Sequence, residues 1–417
     1  MIGVTSIDSI VSAPSSESGT GVSVGVGVVI AAGKVSGKVV SALTGVNHAA
    51  GSVGSFPVTF PPVAPDADLT TRAISRPGMR EVAERAGVAM SSVSRVLSDH
   101  PDVSPKMRHV VMAAVRDLGY RPDMLAQGLR WGKTFSVGFT VSDIANPVLA
   151  EIVTGAEKRL REAGYSLLLT NSEGNPELDV EHISLLEQRR VDGLILSLAE
   201  ENHPETAAAL RRLTVPVVLV DRDVPAAVDA ACATFDHALG MRAATRHLLE
   251  LGHRRFALIT GGPGRPARER RRAVEEELAA AGDGARCAVY AGEFTAEHGR
   301  RAANEILSAA PRSTAIIAGG NMLMQGALLA LQDAGVEVGR DLSFVGCDDV
   351  AIAEIHRPPI AVVRRDIPAI GVAAAELLLW ELEARDGAPG GRAREIVLPT
   401  EFVARASCGR VAGGPRR

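Results

Sequence analysis

The chain has 417 residues, enough for two or three domains with cores of their own, and its apolar content of 46% is ordinary for a globular protein. Aromatic residues make up only 3%, so any ligand cleft has few rings to offer, and the four cysteines (Cys232, Cys287, Cys347, Cys408) form no closely spaced pair. That pattern argues against a disulfide framework or a cysteine metal site and for a reducing, cytoplasmic setting. The formal net charge of −4 is unevenly spread: residues 72–133 carry eleven Lys/Arg against six Asp/Glu, whereas residues 1–71 carry two against four. A basic module on an acidic body points to a head that binds a polyanion and a body that avoids it.

Residues 1–73 read as a low-complexity extension, Gly/Val/Ser-rich over GTGVSVGVGVVIAAGKVSGKVV and Pro-rich over FPVTFPPVAPDAD. The expectation is a disordered tail. Its apolar run at 22–32 is too short to span a bilayer and no basic segment precedes it, so neither a membrane anchor nor a signal peptide is expected. A start of translation further along the chain is an alternative that the intact mass of the native protein decides.

From Met79 the apolar spacing turns helical. Val82, Ala83 and Ala86 form one stripe and Val93, Val96 and Leu97 the next, with Gly87 between them where a tight turn needs positive φ. Ser104-Pro105 is an N-cap followed by a first-turn proline, opening a helix expected to turn Val110, Val111, Ala114, Val115 and Leu118 inward and to end at Gly119. Three short helices sharing one small core, with a glycine in the first turn, fit a helix-turn-helix over residues 76–121, whose second helix enters a DNA groove.

From about Ser136 the rhythm changes to strands alternating with helices: SVGFTV, SLLLTN, GLILSL, VPVVLVD, FALITGG, TAIIAGG and LSFVGCD are apolar runs separated by amphipathic segments. This predicts an α/β body of two doubly wound parallel sheets, one sheet of so many strands being unusually wide. Ligands of such folds sit beyond the carboxyl ends of the strands.

These segments resemble the lactose/galactose repressor family of bacterial transcription regulators. The resemblance rests on VAERAGVAMSSVSRVLS, VSPKMRHVVMAAVRDLGYRPD and LAQGLRWGKT, followed in order by ANPVLAEI, RRVDGLIL, LLELGHRRFALITG, GEFTAEHGRRA, VGCDD and HRPPIAVV. It covers roughly residues 76–408. It implies a helix-turn-helix head, a hinge helix at 122–133, a two-lobed core like that of periplasmic binding proteins at 134–408, and a tail at 409–417. The N-lobe would take about 134–235 and 366–395, the C-lobe about 236–364 and 396–408, with chain crossings near Phe235, Arg365 and Ile396.

The resemblance also assigns roles. Met90, Ser91 and Arg95 match positions that read base edges, and an arginine suits guanine because its fork donates to O6 and N7 together. Ser92, Ser94 and Ser104 are expected to donate to backbone phosphates. Leu129 matches a leucine wedged into the minor groove, with Ala126 lying beside it. One departure matters in the head: Ala89 stands where the family usually has a capping Ser. In the core, Asn146, Arg270, Phe294 and Asp348 match ligand-binding positions. Departures at 146–149 (Asn-Pro-Val-Leu), at Gly320-Asn321 and at Cys347 remove or replace side chains that commonly face the ligand, so the ligand itself cannot be carried over.

The expected function is therefore that of a homodimeric, sequence-specific DNA-binding regulator, acting as a repressor at a pseudo-palindromic operator and controlled by a small effector, sugar-like or other, held between the lobes. A ligand-free core serving only as a dimerisation scaffold is the alternative. An enzyme is not expected: ITGGPGRP lacks the Lys-Ser/Thr of a phosphate-binding loop and no nucleophile–base pair stands out. A periplasmic binding protein would carry a signal peptide and no helix-turn-helix. No cofactor, metal or membrane partner is expected.

Overall fold

The computed structural model describes residues 30–35, 38–43, 77–120, 133–282, 284–385 and 394–411. The chain divides into two units, Met1–Pro77 and Gly78–Arg417. In the first, β1 (Ile30–Val35) and β2 (Lys38–Leu43) pair antiparallel, residues 1–29, 36–37 and 44–76 lying outside the described ones.

The second unit begins with α1 (Met79–Ala86), α2 (Met90–Leu97) and α3 (Pro105–Leu118). Their common core is Val82, Ala83, Val93, Val96, Val111 and Ala114, with Leu97, Val115 and Leu118 packed against it. Val110, expected to face inward, is instead 38% exposed; one position from Val111, it is rotated about 100° away from the core. Gly87 and Gly119 end α1 and α3 in the left-handed region, at φ 64° and 60°, which is the geometry that stops a helix and turns the chain.

The remainder is two six-stranded sheets. One orders its strands as β13-β7-β6-β5-β3-β4: β3 (Ser136–Val141), β4 (Ser166–Asn171), β5 (Gly193–Ser197), β6 (Val217–Val220), β7 (Ala231–Phe235) and β13 (Glu395–Leu398). The other is β14-β12-β11-β10-β8-β9: β8 (Arg255–Thr260), β9 (Arg286–Ala291), β10 (Ala315–Ala318), β11 (Ser343–Cys347), β12 (Ala361–Arg365) and β14 (Thr400–Val403). Every pairing in both is parallel except β12–β14. The central strands are buried along their whole length, as continuous Val/Ile/Leu runs covered by helices on both faces must be.

The chain passes between lobes three times. After β7 it enters α7 (His237–Glu250), which packs on β12 and β14, and after β12 it enters α12 (Ile367–Arg385), which packs on β5, β6 and β7. The third passage lies at Pro399, not near Ile396: Ile396 and Leu398 pair with Ala233 and Phe235 in the N-lobe, and Thr400 begins the antiparallel ladder of the C-lobe. A proline has no N–H to give to either ladder, so it separates the two strands.

α12 lies close against α4 (Pro147–Glu162) through two glycines. A Cβ on Gly155 would stand 2.2 Å from the Pro368 carbonyl oxygen, and one on Gly371 would stand 2.0 Å from that of Ile152. This contact ties the second passage to the N-lobe core beneath the cleft.

Candidate nucleic-acid face and interlobe cleft

The polar face of α2 is fixed by its apolar one. Val93 and Val96 are buried, so the helical period turns Met90, Ser91 and Arg95 to solvent, with Met90 52% exposed. No carboxylate among the described residues lies within ion-pairing distance of the Arg95 guanidinium, which leaves its fork available. Ser92 and Ser94 are half-buried on the flank of the same helix. Ser104 Oγ accepts from Met107 N at 3.3 Å as the cap of α3, and a hydroxyl used this way still has its proton to donate. Ala126 and Leu129, and the hinge helix expected at 122–133 apart from Lys133, lie outside the described residues.

Ala89 is the N-cap of α2 and has no side-chain acceptor for the first-turn amides. Restoring one, as Ala89→Ser, is expected to stabilise the helix by about 1 kcal/mol. In the full-length protein this reads as roughly fivefold slower hydrogen exchange of the α2 amides.

The cleft between the lobes has a volume of about 760 Å³. Asn146, Arg270 and Phe294 line it. Asn146 caps α4, accepting from Val148 N at 3.1 Å, and its Oδ1 also takes Asn321 Nδ2 at 2.9 Å from the other lobe. Arg270, on α8 (Arg265–Ala281), is 3% exposed, and its Nη1 donates to the Gly319 carbonyl at 2.5 Å. Its Nε has no hydrogen-bond partner, nor has Asn321 Oδ1, although both are buried. One is a donor and the other an acceptor, and buried groups of this kind are satisfied by a ligand or an ordered water.

Phe294 is the one aromatic ring among the lining residues, 38% exposed. Its seat is made by glycine: a Cβ on Gly320 would lie 2.2 Å from the ring edge, and one on Gly261 would lie 2.8 Å from it. Residue 320 has extended backbone, so space and not conformation requires glycine there. Gly320→Ala is expected to displace the ring into the cleft at a cost of about 1–3 kcal/mol, measured as a lowered urea midpoint with unchanged slope.

Asp348 does not line the cleft. It is 1% exposed at the end of β11, its Oδ1 accepting from Arg365 Nε at 2.6 Å and its Oδ2 from Asn321 N at 3.3 Å. The two groups it holds, Arg365 and Asn321, do line the cleft, so Asp348 stands one layer behind its surface. Arg365 also reaches Asp221 Oδ2 through Nη1 at 2.9 Å, and its guanidinium carbon lies 4.9 Å from the centre of the Phe235 ring. Asp221 Oδ1 in turn meets His237 Nε2 at 2.8 Å.

The result is a buried line, His237–Asp221–Arg365–Asp348, running along the first two chain passages. Burial pushes the His237 ring down to about 4, so it is neutral near pH 7. For Asp221 and Asp348 burial opposes ionisation. The His237 ring and Arg365 outweigh it for Asp221, and Arg365 and Arg270 do so for Asp348, holding both carboxyls below the usual range.

Arg365, Asp221 and Arg222 are cleft residues that the sequence reading did not single out as ligand groups, and Asn321 entered it only as a departure from the family pattern. A signal was present for Asp221, an acid directly after the apolar run VPVVLV, where open α/β sheets place ligand groups.

Residues 78–123 match the family model "Bacterial regulatory proteins, lacI family", and residues 245–408 match "Periplasmic binding protein-like domain". The chain is 33% identical to the ribose operon repressor of Escherichia coli (strain K12) over 309 residues, covering 73% of this chain and 92% of that one. It is 32% identical to the HTH-type transcriptional repressor PurR of Escherichia coli O139:H28 over 346 residues, covering 81% and 98%. Among solved structures, the lac repressor dimer bound to operator and the anti-inducer ONPF superposes with a TM-score of 0.70 at 26% identity, over 79% of this chain and 98% of that one. The chain belongs to the LacI family of bacterial regulatory proteins.

Proposed function

We propose that the protein is a homodimeric transcriptional repressor that binds a pseudo-palindromic operator and is controlled by a hydroxyl-bearing metabolite in the interlobe cleft. The observation that carries the reading is the pairing of two sites on one chain. A helix-turn-helix presents an unpaired arginine to solvent, and a polar cleft holds a buried donor, Arg270 Nε, and a buried acceptor, Asn321 Oδ1, without partners. A hydroxyl both accepts and donates, so a hydroxyl-bearing ligand carries groups of the kind each of them lacks. The same two atoms argue against a core that serves only as a scaffold.

Two heads on a two-fold dimer call for two matched half-sites, with Met90, Ser91 and Arg95 reading bases and Ser92, Ser94 and Ser104 holding phosphates. Ala126 and Leu129 are assigned to the minor groove on the sequence resemblance alone. The effector acts by changing the relative closure of the lobes, which shifts the population of DNA-competent molecules. The repressor relatives support a binding protein and not an enzyme, acting in the cytoplasm; no helix among the described residues is long and apolar enough to cross a membrane.

Selection of binding sites from a random duplex pool, followed by thermal-shift screening with ribose, cellobiose and purines, tests the reading. The expected outcome is an inverted-repeat site whose occupancy changes with the compound that raises the melting temperature. A pool without an enriched inverted repeat overturns it.

A further inference from the structure

In the lining of the cleft, α8 of the C-lobe begins without a cap of its own. Its N-cap is Gly264, which has no side chain, and Pro266 follows Arg265 in the first turn. The first amides of a helix have no partner within it. Here Arg265 N donates to Glu201 Oε1 at 2.5 Å, and Glu201 belongs to the N-lobe, in the connection after β5. The same carboxylate takes Arg268 Nη1 on Oε2 at 2.9 Å.

A second N-lobe acid, Asp223 after β6, receives Arg265 Nη1 at 2.8 Å and also pairs with Arg268 Nη2. Two acids of one lobe thus hold two arginines and a helix end of the other. The Glu201 side chain is 2% exposed, whereas Arg268 and Asp223 are about half exposed, at 42% and 47%.

We propose that Glu201 and Asp223 form a latch that closes the cleft using only groups of this chain, with Glu201 acting as the missing cap of α8. Glu201 is the core of the device: its buried carboxylate meets a helix N-terminus, where the backbone partial charge favours an anion, and a guanidinium at once. Asp223 adds the second, more exposed tie. The Asn146–Asn321 hydrogen bond, between two other cleft residues, also joins the lobes. An effector entering the cleft then works against, or in support of, a closure that the protein makes by itself. This rests on the reading of the cleft as the effector site, and it adds how that site is set before an effector binds.

The latch is tested on the full-length protein with Glu201→Ala, Asp223→Asn and Arg268→Gln, by hydrogen exchange of residues 264–272 and by small-angle scattering. Arg265 N has no intrahelical acceptor, so removing the Glu201 side chain that caps it is expected to raise its exchange at least tenfold and to increase the radius of gyration. Arg268→Gln and Asp223→Asn, at half-exposed positions, are expected to give smaller changes in the same direction and carry the test if Glu201→Ala does not fold. Unchanged exchange and scattering in the folded variants overturn the latch. Affinity for the selected duplex is measured in parallel: its absence in the wild type overturns the regulatory reading while leaving the two latch measurements to decide the latch.

Discussion

Arg365→Met is expected to lower the stability of the two-lobed unit by about 3–5 kcal/mol at pH 8. The methionine fills much of the same volume, so the loss is electrostatic and not a cavity. Arg365 is 8% exposed and stands between two carboxylates that are 8% and 1% exposed, Asp221 and Asp348. Without it both acids remain buried, and neither lies where water can solvate it cheaply.

The pH dependence distinguishes this cause from simple misfit. In the wild type the folded His237 ring is neutral above about 4, whereas an unfolded histidine takes its proton below about 6.5. The folded state then binds fewer protons between those values, so this group makes wild-type stability fall as pH falls from 6.5 to 4. Arg365 is one of the charges that holds His237 down. Its removal lifts one of the causes that hold the ring down and takes away a charge that holds the Asp221 and Asp348 carboxyls below the usual range, so these groups take up protons more readily as pH falls. The gap between wild type and variant is therefore expected to narrow as urea unfolding is repeated from pH 8 down to pH 5. A gap that stays constant across that range would show that the carboxylates are not the source of the loss.

Arg365 also shows why part of the cleft was hidden in the sequence. An arginine at the end of a strand, next to Arg364, reads as a solvated terminus, and Arg364 is indeed half exposed and paired with Glu401 at the surface. What buries Arg365 is the meeting of two strand ends, Asp221 from one sheet and Asp348 from the other, separated by 127 residues of sequence. Local spacing carries no trace of that meeting. Asp348 was recognised as a strand-end acid, but its position one layer behind the cleft depends on the same long-range contact. By contrast, Asn146, Arg270 and Phe294 were legible only through the family resemblance, which matches them to ligand-binding positions, and all three line the cleft.

The fold was legible for a similar reason. Continuous apolar runs between amphipathic segments leave few alternatives to parallel sheets covered on both faces, and Gly87, Ser104 and Gly119 mark the head helices with chemistry of their own. The last passage between lobes was placed near Ile396 by the resemblance alone, and Pro399 was the signal in the residues themselves, standing between two strands of two different sheets. Glu201 was missed for another reason: an acid in a polar connection is the ordinary state of a loop, and only the neighbouring lobe gives it a task.

Arg95→Ala is expected to lower the preference of the protein for its selected operator over random duplex by about 1–3 kcal/mol. Arg95 projects from the exposed face of α2, one turn beyond Ser91, and among the described residues no carboxylate pairs with it, Asp99 four residues on being paired with Arg108. Loss of a bidentate contact to guanine removes discrimination at one base pair of each half-site. Loss of a phosphate contact instead weakens operator and random duplex alike and reduces the salt dependence of binding by about one unit of slope per lost contact. Measuring both affinities at several salt concentrations separates the two. A fall in operator affinity with an unchanged slope, and relaxed preference at one position of the half-site, places Arg95 on a base edge. An equal fall for both duplexes with a shallower slope places it on the backbone, and Met90 and Ser91 alone would then carry the base reading of this helix.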